Sequence, residues 1–330
     1  MAGADTRREK ITALLLLLCM TLLILTGCGT NKTEKSGYAE TLEIQNFTYT
    51  GEPRTIRLNR VPQRIIVCGT SAIDTLLALG QKDHIVGAVV SDKRDLEKYR
   101  AILGKDLVTD HVFSQEEALL RKPDFILAWR MYFSDKQIGS QEFWKSRNAD
   151  TYIQEASGPI PSLKGFPPCT IDSEKQFIRN MGKIFQKEEE ASGYLKDIDE
   201  GLENARKEIK SPKVLAIEFM GKNIEVFGKK LLSGDIIKEM GGEIVDFGNP
   251  FISREQLVMS DADVIFIIYH GDEAAGKKAA NFLSQPIYSH IPAVQEGRVY
   301  PLEYTRIVAP GVNVVDTIRY MESCLSEQKK

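Results

Sequence analysis

Ligands of an open α/β sheet sit beyond the carboxyl ends of its strands. That rule picks out the residues here that could do chemistry. Thr70 follows the strand 64–68, with Gly69 and Ser71 beside it. Trp129, Arg130 and Tyr132 follow the strand 124–128. Phe219, Met220 and Gly221 follow 213–218, and Tyr269 and His270 close 264–269. The loop from Glu303 to Ala309 adds Tyr304 and Arg306. Aromatic faces supply contact area and guanidinium groups grip carboxylates, so this lining suits a large, partly flat, anionic ligand. Each residue also has a plain packing role open to it. Trp129 can fill a strand end, the two arginines can pair with local acids, and His270 and Met220 can be ordinary loop and core residues. Were the ligand haem, His270, Tyr269 or Met220 would be available as an axial ligand. Catalytic signatures are missing: there is no Gly-x-Ser-x-Gly elbow, P-loop, Gly-x-Gly-x-x-Gly or His-Glu-x-x-His. The four histidines show no metal-ligand spacing, and none of the five cysteines forms Cys-x-x-Cys. The residues therefore read as a binding site, with no catalysis, resident metal or cofactor.

The elements that must position these residues follow from hydrophobic periodicity. Thr41 to Asn59 alternates with period two on either side of Gly51-Glu52-Pro53, a β-hairpin. Strands are expected at 64–68, 85–90, 124–128 and 150–153, with helices from 71 to Leu79 and from Glu116 to Leu120. Cys68 reads as a small core residue. Gly158, Pro159, Pro161, Gly165, Pro167 and Pro168 mark a crossing segment over 157–170. The longest helical stripe then runs from Ser173 to Lys210, with Ser173 and Gln176 as a capping box and Ser211-Pro212 as its end. Gly182 and Gly193 weaken it, and a break near Gln186 would make two consecutive helices. The alternation restarts beyond it. Strands fall at 214–219, 224–227, 264–269 and 298–300, helices at 232–240, 253–259 and 274–283, and Pro310 opens a last helix. Alternating strands and helices predict parallel sheets. The fold class is α/β, two Rossmann-like lobes with mostly parallel sheets joined by one long rigid helix, with the ligand cleft between lobes. The lobes echo each other: 116–126 aligns with 255–265, each residue 139 positions from its counterpart, as Asp124 is from Asp263.

Formal net charge is -3; residues 1–27 carry +1, so the remainder is -3 - (+1) = -4. Such a chain lacks the basic face that nucleic acid needs. Arg7, Arg8 and Lys10 precede an apolar run, Ile11 to Leu25, of about 15 residues, where a membrane span needs about 20. This is the layout of a secretory signal. Leu25-Thr26-Gly27-Cys28 resembles a bacterial lipobox, in which cleavage precedes a cysteine that becomes the lipid-bearing first residue. The expected divisions are a signal over 1–27, a tether over 28–40, one lobe over 41–170, the helical spine over 171–211 and a second lobe over 212–330.

Several stretches in order resemble the bacterial substrate-binding lipoproteins that serve ABC importers of iron complexes, haem and cobalamin. They are Leu25 to Cys28, Pro62-Gln-Arg-Ile-Ile66, Leu76 to Gly80 with Val86-Gly87, Lys122-Pro-Asp-Phe-Ile126, the spine, Gly241-Gly242, Ser253-Arg-Glu-Gln-Leu257, and Ala293 to Tyr300. The resemblance implies a monomeric protein, lipid-anchored at Cys28 on the outer face of the cell membrane. Its partners would be an ABC permease with its ATPase, and it would deliver a metal chelate to them. It also implies one acidic docking residue on each lobe: Glu255 matches one, and Asp74 falls where the other is usually glutamate. Phe125 to Arg130 and Phe251 to Gln256 are similar to stretches of cobalamin-binding members, where Trp129 and Phe251 would meet the corrin. The reading is an iron-siderophore or haem carrier first and a corrinoid carrier second. A surface-anchored α/β enzyme is the rival class, and an adhesin or structural lipoprotein a third.

Overall fold

The computed structural model describes residues 37–157 and 169–326. The signal segment, Cys28 and all but the last residues of the tether lie outside them, as do residues 158–168 of the crossing segment. No helix among the described residues is long and apolar enough to cross a membrane.

The hairpin forms as expected, from β1 (Gly37–Phe47) and β2 (Pro53–Arg60). Its inward residues Ile44, Ile56 and Leu58 are buried, the period-two pattern of a half-covered sheet. The first lobe follows: β3 (Ile65–Cys68), α1 (Thr70–Ala78), β4 (Ile85–Val89), α2 (Lys93–Leu103), β5 (Val108–Thr109), α3 (Gln115–Leu120), β6 (Phe125–Ala128), α4 (Gln141–Lys145) and β7 (Asp150–Ile153). The strands lie in the order β5-β4-β3-β6-β7, all parallel. β3 and β6 are buried along their whole length, as strands covered on both faces must be. Cys68 is in this core, and burial pushes its thiol pKa up.

The long helical run divides where the sequence was weak. α5 (Ile171–Phe185) ends at Gln186, whose φ of 53° is left-handed, and α6 (Glu188–Glu208) follows. The single long spine is thus a pair of helices folded against each other. A Cβ on Gly182 would lie 2.6 Å from that of Ala191, and Lys175 reaches Asp199. The cap also shifts: Thr170 and Ser173 form the capping box, three residues ahead of the expected pair. α5 serves both lobes. Phe177 and Phe185 pack on Tyr152 and Phe125 of the first, with ring centroids 6.1 and 6.0 Å apart. At its other end the Ile171 amide donates to Asp235 of the second, at 2.8 Å.

The second lobe contains β8 (Lys213–Met220), β9 (Asn223–Val226), α7 (Leu232–Glu239), β10 (Glu243–Ile244), β11 (Phe251–Ile252), α8 (Arg254–Val258), β12 (Val264–Tyr269), α9 (Glu273–Asn281), α10 (Pro292–Gln295), β13 (Val299–Glu303) and α11 (Val314–Ser326). Its order is β11-β9-β8-β12-β13, with β10 beside β8 and β9 antiparallel to both its neighbours. The echo between lobes extends to local bonds. Ser114 and Ser253 each close a capping box. Asp124 accepts from the Arg64 amide and Asp263 from the Lys213 amide, at 2.8 and 2.9 Å.

After β13 the chain returns to the first lobe. Pro310 opens the last helix as expected, capping a 3-10 turn, Gly311–Asn313, that runs directly into α11. The Ala309 carbonyl accepts from Ser71 Oγ at 2.5 Å and Gln154 Nε2 at 2.8 Å. The Gly311 amide donates to Glu174 Oε2 at 2.7 Å, and the Val312 amide to Thr75 Oγ1 at 3.3 Å. Burial pushes the Glu174 carboxyl up to about 7, although the Gly311 amide pulls the other way. Gly311 has a φ of 58°, and a Cβ there would lie 2.3 Å from Thr75 Oγ1. Gly311→Ala combines a left-handed backbone with overpacking and should cost about 2–4 kcal/mol. Urea unfolding should show a lower midpoint at unchanged slope; a midpoint equal to wild type would mean that this junction yields freely.

Candidate functional site

The carboxyl ends of the two sheets face each other across a cleft. On the first lobe, Trp129 is half-buried at the end of β6. Its Nε1 donates to Gln154 Oε1 at 3.2 Å, and its ring lies on bare backbone at Gly69, where a Cβ would sit 3.4 Å from Nε1. Thr70 starts α1 beside it, half-buried.

Arg130 and Tyr132 depart from the expected wall. Residues 130–132 form a 3-10 turn that folds both side chains back into the lobe. Arg130 is 5% exposed; its guanidinium lies over the Tyr49 ring at 5.0 Å and donates to the Tyr49 carbonyl. Tyr132 is buried with its hydroxyl 3.3 Å from Ser91 Oγ, and burial raises its pKa. Arg130 therefore braces the β1–β2 hairpin instead of standing in the expected wall. A cation that does reach the cleft is Arg94, at the start of α2. Its Nη1 lies 3.9 Å from where a Cβ on Gly271 of the other lobe would be. Arg94 pairs with Asp92, whose carboxyl it holds below the ordinary range, with His270 adding to the effect from across the cleft.

The second lobe supplies a more acidic wall than expected. Glu218 and Glu225 stand directly opposite in the β8–β9 ladder, and Phe251 stands opposite Glu225 on the other side. Met220 and Phe251 are each about half exposed, at 51% and 50%. His270 Nε2 lies 3.3 Å from Glu218 Oε1, and its ring stacks on Tyr304 with centroids 4.3 Å apart. Burial raises the Glu218 carboxyl, with His270 opposing it; burial and then the Glu218 charge raise Glu225. Tyr269 is flat against α9, where a Cβ on Gly276 would lie 2.7 Å from its ring. Arg306 is exposed over the Tyr320 ring at 5.4 Å. Among the described residues no three His, Cys, Asp or Glu side chains converge as metal ligands.

Sequence reasoning passed over Asp92, Arg94, Glu218 and Glu225. The strand-end rule would have found the first pair had it been applied to 85–90. The second pair needed the β8–β9 register.

Of the two acids expected to dock, Glu255 is exposed in the first turn of α8. Asp74 is not free. Its Oδ1 accepts from the Tyr99 hydroxyl at 2.9 Å and its Oδ2 from Asn313 Nδ2 at 2.8 Å. It belongs to the junction between lobes. The residue that corresponds to Glu255 by offset and place is Glu116, exposed in the first turn of α3.

Two lobes with a cleft at their facing strand ends, bridged by helices, define a solute-binding protein. Residues 65–304 match the model of the family described as "Periplasmic binding protein", and the chain belongs to that family. It is a binding protein and not an enzyme. The chain is similar to the iron(3+)-hydroxamate-binding protein FhuD of Bacillus subtilis, with 24% identity over 84% of this chain and 86% of that one. It is also similar to the high-affinity heme uptake system protein IsdE of Staphylococcus aureus, with 26% identity over 89% and 90%. A solved periplasmic binding protein from Veillonella parvula superposes with a TM-score of 0.77 at 28% identity, covering 88% of this chain and 92% of that one.

Like charges opposite each other in a ladder are destabilising. Glu225→Gln should therefore raise stability by about 0.5–1 kcal/mol, read as a higher thermal midpoint at pH 7. A lower midpoint would show that the pair supports the fold and is not held at a cost.

Proposed function

We propose that the protein captures an iron chelate in this cleft and hands it to an ABC importer. The lipid carried by Cys28 would hold it on the outer face of the cell membrane. The observation that carries the ligand class is the second-lobe wall. Met220 and Phe251 hold apolar surface in water beside the stacked His270–Tyr304 pair. A ligand that covers such surface gains roughly 25 cal/mol per Å². Family membership supports the same reading: relatives are named for iron(3+)-hydroxamate, petrobactin and heme.

The charges favour one chelate over another. Glu218, Glu225, Asp92 and Glu303 outnumber Arg94 and Arg306 around the cleft, so an anionic ligand is disfavoured. Ferric iron bound by hydroxamates is a chelate whose charges cancel, whereas haem brings propionates. His270 Nε2, the nitrogen an iron would take, already faces Glu218. The ferric hydroxamate is thus the preferred ligand, ahead of haem and of a corrinoid.

Trp fluorescence tests this on the protein from Cys28 onward. Trp144 is buried with its Nε1 on the Ile138 carbonyl, so Trp129 is the reporter. Titration with ferric desferrioxamine should give saturable quenching that disappears in Trp129→Phe. Saturation by haemin or cobalamin alone would overturn the hydroxamate assignment, and silence toward all three would overturn the cleft as the site.

Delivery is read at the outer helices. Glu116 and Glu255 are the matched acids that would meet basic groups on the permease. Glu116→Ala and Glu255→Ala should keep chelate affinity while lowering uptake about tenfold each, as for a central charge pair in an interface. Uptake equal to wild type in both would remove the docking role.

A further inference from the structure

We infer that the importer is gripped by two apolar side chains, Leu120 and Met259, one on each lobe, set behind the two acids. These are the two most exposed large apolar residues among those described. Leu120 is 82% exposed and Met259 85%, while the next, Ile287, is 56%. A single exposed leucine or methionine on a protein surface needs no explanation. A matched pair does. Leu120 and Met259 are separated by the same 139 positions that relate Asp124 to Asp263 and Glu116 to Glu255.

Their placement follows from the topology. β5 pairs in parallel with β4, Thr109 level with Val89, so the chain leaves β5 at the cleft edge of its sheet. α3 starts from there at Ser114 and runs outward, because the chain re-enters the sheet at its outer edge, where the Asp124 amide meets the Arg64 carbonyl. α8 repeats this. Ile252 pairs with Ile224, which is level with Phe219 near the end of β8, and the chain re-enters where the Asp263 amide meets the Lys213 carbonyl. In each lobe the acid is thus nearer the cleft, and the apolar residue is four positions on, about one turn outward: Leu120 is the last residue of α3 and Met259 caps the end of α8.

Among the described residues neither side chain is packed into its lobe. The two helices bury other residues instead: Ala118 is fully buried and so is Leu257. What fits an acid plus an apolar knob, presented twice by a repeated architecture, is a partner that offers a cation plus an apolar socket, also twice. Two copies of a membrane subunit present such a surface. The acids supply steering and orientation, and the knobs supply desolvated contact that outlasts the encounter.

This inference rests on the delivery reading above, and the experiment separates the two. Full-length protein is bound to the permease–ATPase complex in lipid nanodiscs, at low and high salt. Leu120→Ser and Met259→Ser should each weaken binding about tenfold, chiefly through faster dissociation and equally at both salt concentrations. Ferric desferrioxamine affinity and thermal midpoint should be unchanged, since both side chains lie in water. Glu116→Ala and Glu255→Ala should weaken binding mainly at low salt. If the serine variants bind as wild type while the alanine variants do not, the knobs are overturned and the docking acids stand. If only one serine variant loses affinity, the matched two-site grip is overturned. If all four bind as wild type, the docking reading falls and this inference with it.

Discussion

The junction at Ala309–Asn313 constrains the rest of the molecule. Ala309 adopts a φ of 47°, a left-handed backbone that costs a non-glycine residue roughly 1 kcal/mol. Such a conformation persists only where the surroundings over-determine it. Here they do: Ser71 and Gln154 of the first lobe both donate to its carbonyl, and the next residues are held by Glu174, Thr75 and Asp74. Together with α5 this gives the lobes a second tie. Gln154 has another duty, because its Oε1 accepts the Trp129 indole N–H. One buried amide therefore fixes both the lobe junction and an aromatic face of the cleft. A wall anchored in this way is pre-organised, and a ligand meeting it spends little affinity on ordering it.

The cleft holds arrangements that stability alone does not explain. Opposing Glu218 and Glu225 in one ladder, each with a raised pKa, is a local arrangement that folding alone would not favour. The half-exposed Met220 and Phe251 are a second instance, since apolar side chains at strand ends could have been buried like Ile217 or Ile252. Departures of this kind gather at sites of function because a partner, and not the fold, relieves them. The His270–Tyr304 pair, with ring centroids 4.3 Å apart, adds aromatic surface at the β12–β13 side of this wall.

Sequence periodicity was enough for the lobes, their mostly parallel sheets and the break at Gln186, because strands buried on both faces and amphipathic helices leave strong local signals. It was not enough for α2. Leu96, Tyr99 and Leu103 do form a stripe, but they stand in a stretch so charged that the stripe is faint. Side-chain direction was the larger gap. Arg130 follows Trp129 directly and looked like its neighbour in the cleft; the 3-10 turn between 130 and 132 sends it the other way, to a hairpin 81 residues earlier. The partners of Asp74 were hidden for a related reason. Whether a helical carboxylate is free depends on what covers it, and its cover, Asn313, is 239 residues distant. The opposition of Glu218 and Glu225 depends on register, which the short stretch between β8 and β9 permits but does not announce.

The repeat at 139 residues was legible as architecture, and the structure separates what in it is structural from what is not. Ser114 and Ser253 cap helices, and Asp124 and Asp263 bind the amides that open the central strands. Those residues recur because each lobe must solve the same folding problem. Glu116 and Glu255, Leu120 and Met259 recur at the same spacing without touching either core. An amphipathic helix of one or two turns is free to place any polar residue on its solvent face, so folding does not account for an acid and a large apolar group at matched positions there. The two lobes differ where they face the cleft: one wall offers Trp129, the other Met220, Phe251 and the acids. They agree on the outer helices. A protein asymmetric toward its cargo and symmetric on its flanks fits a single ligand on one side and a paired partner on the other.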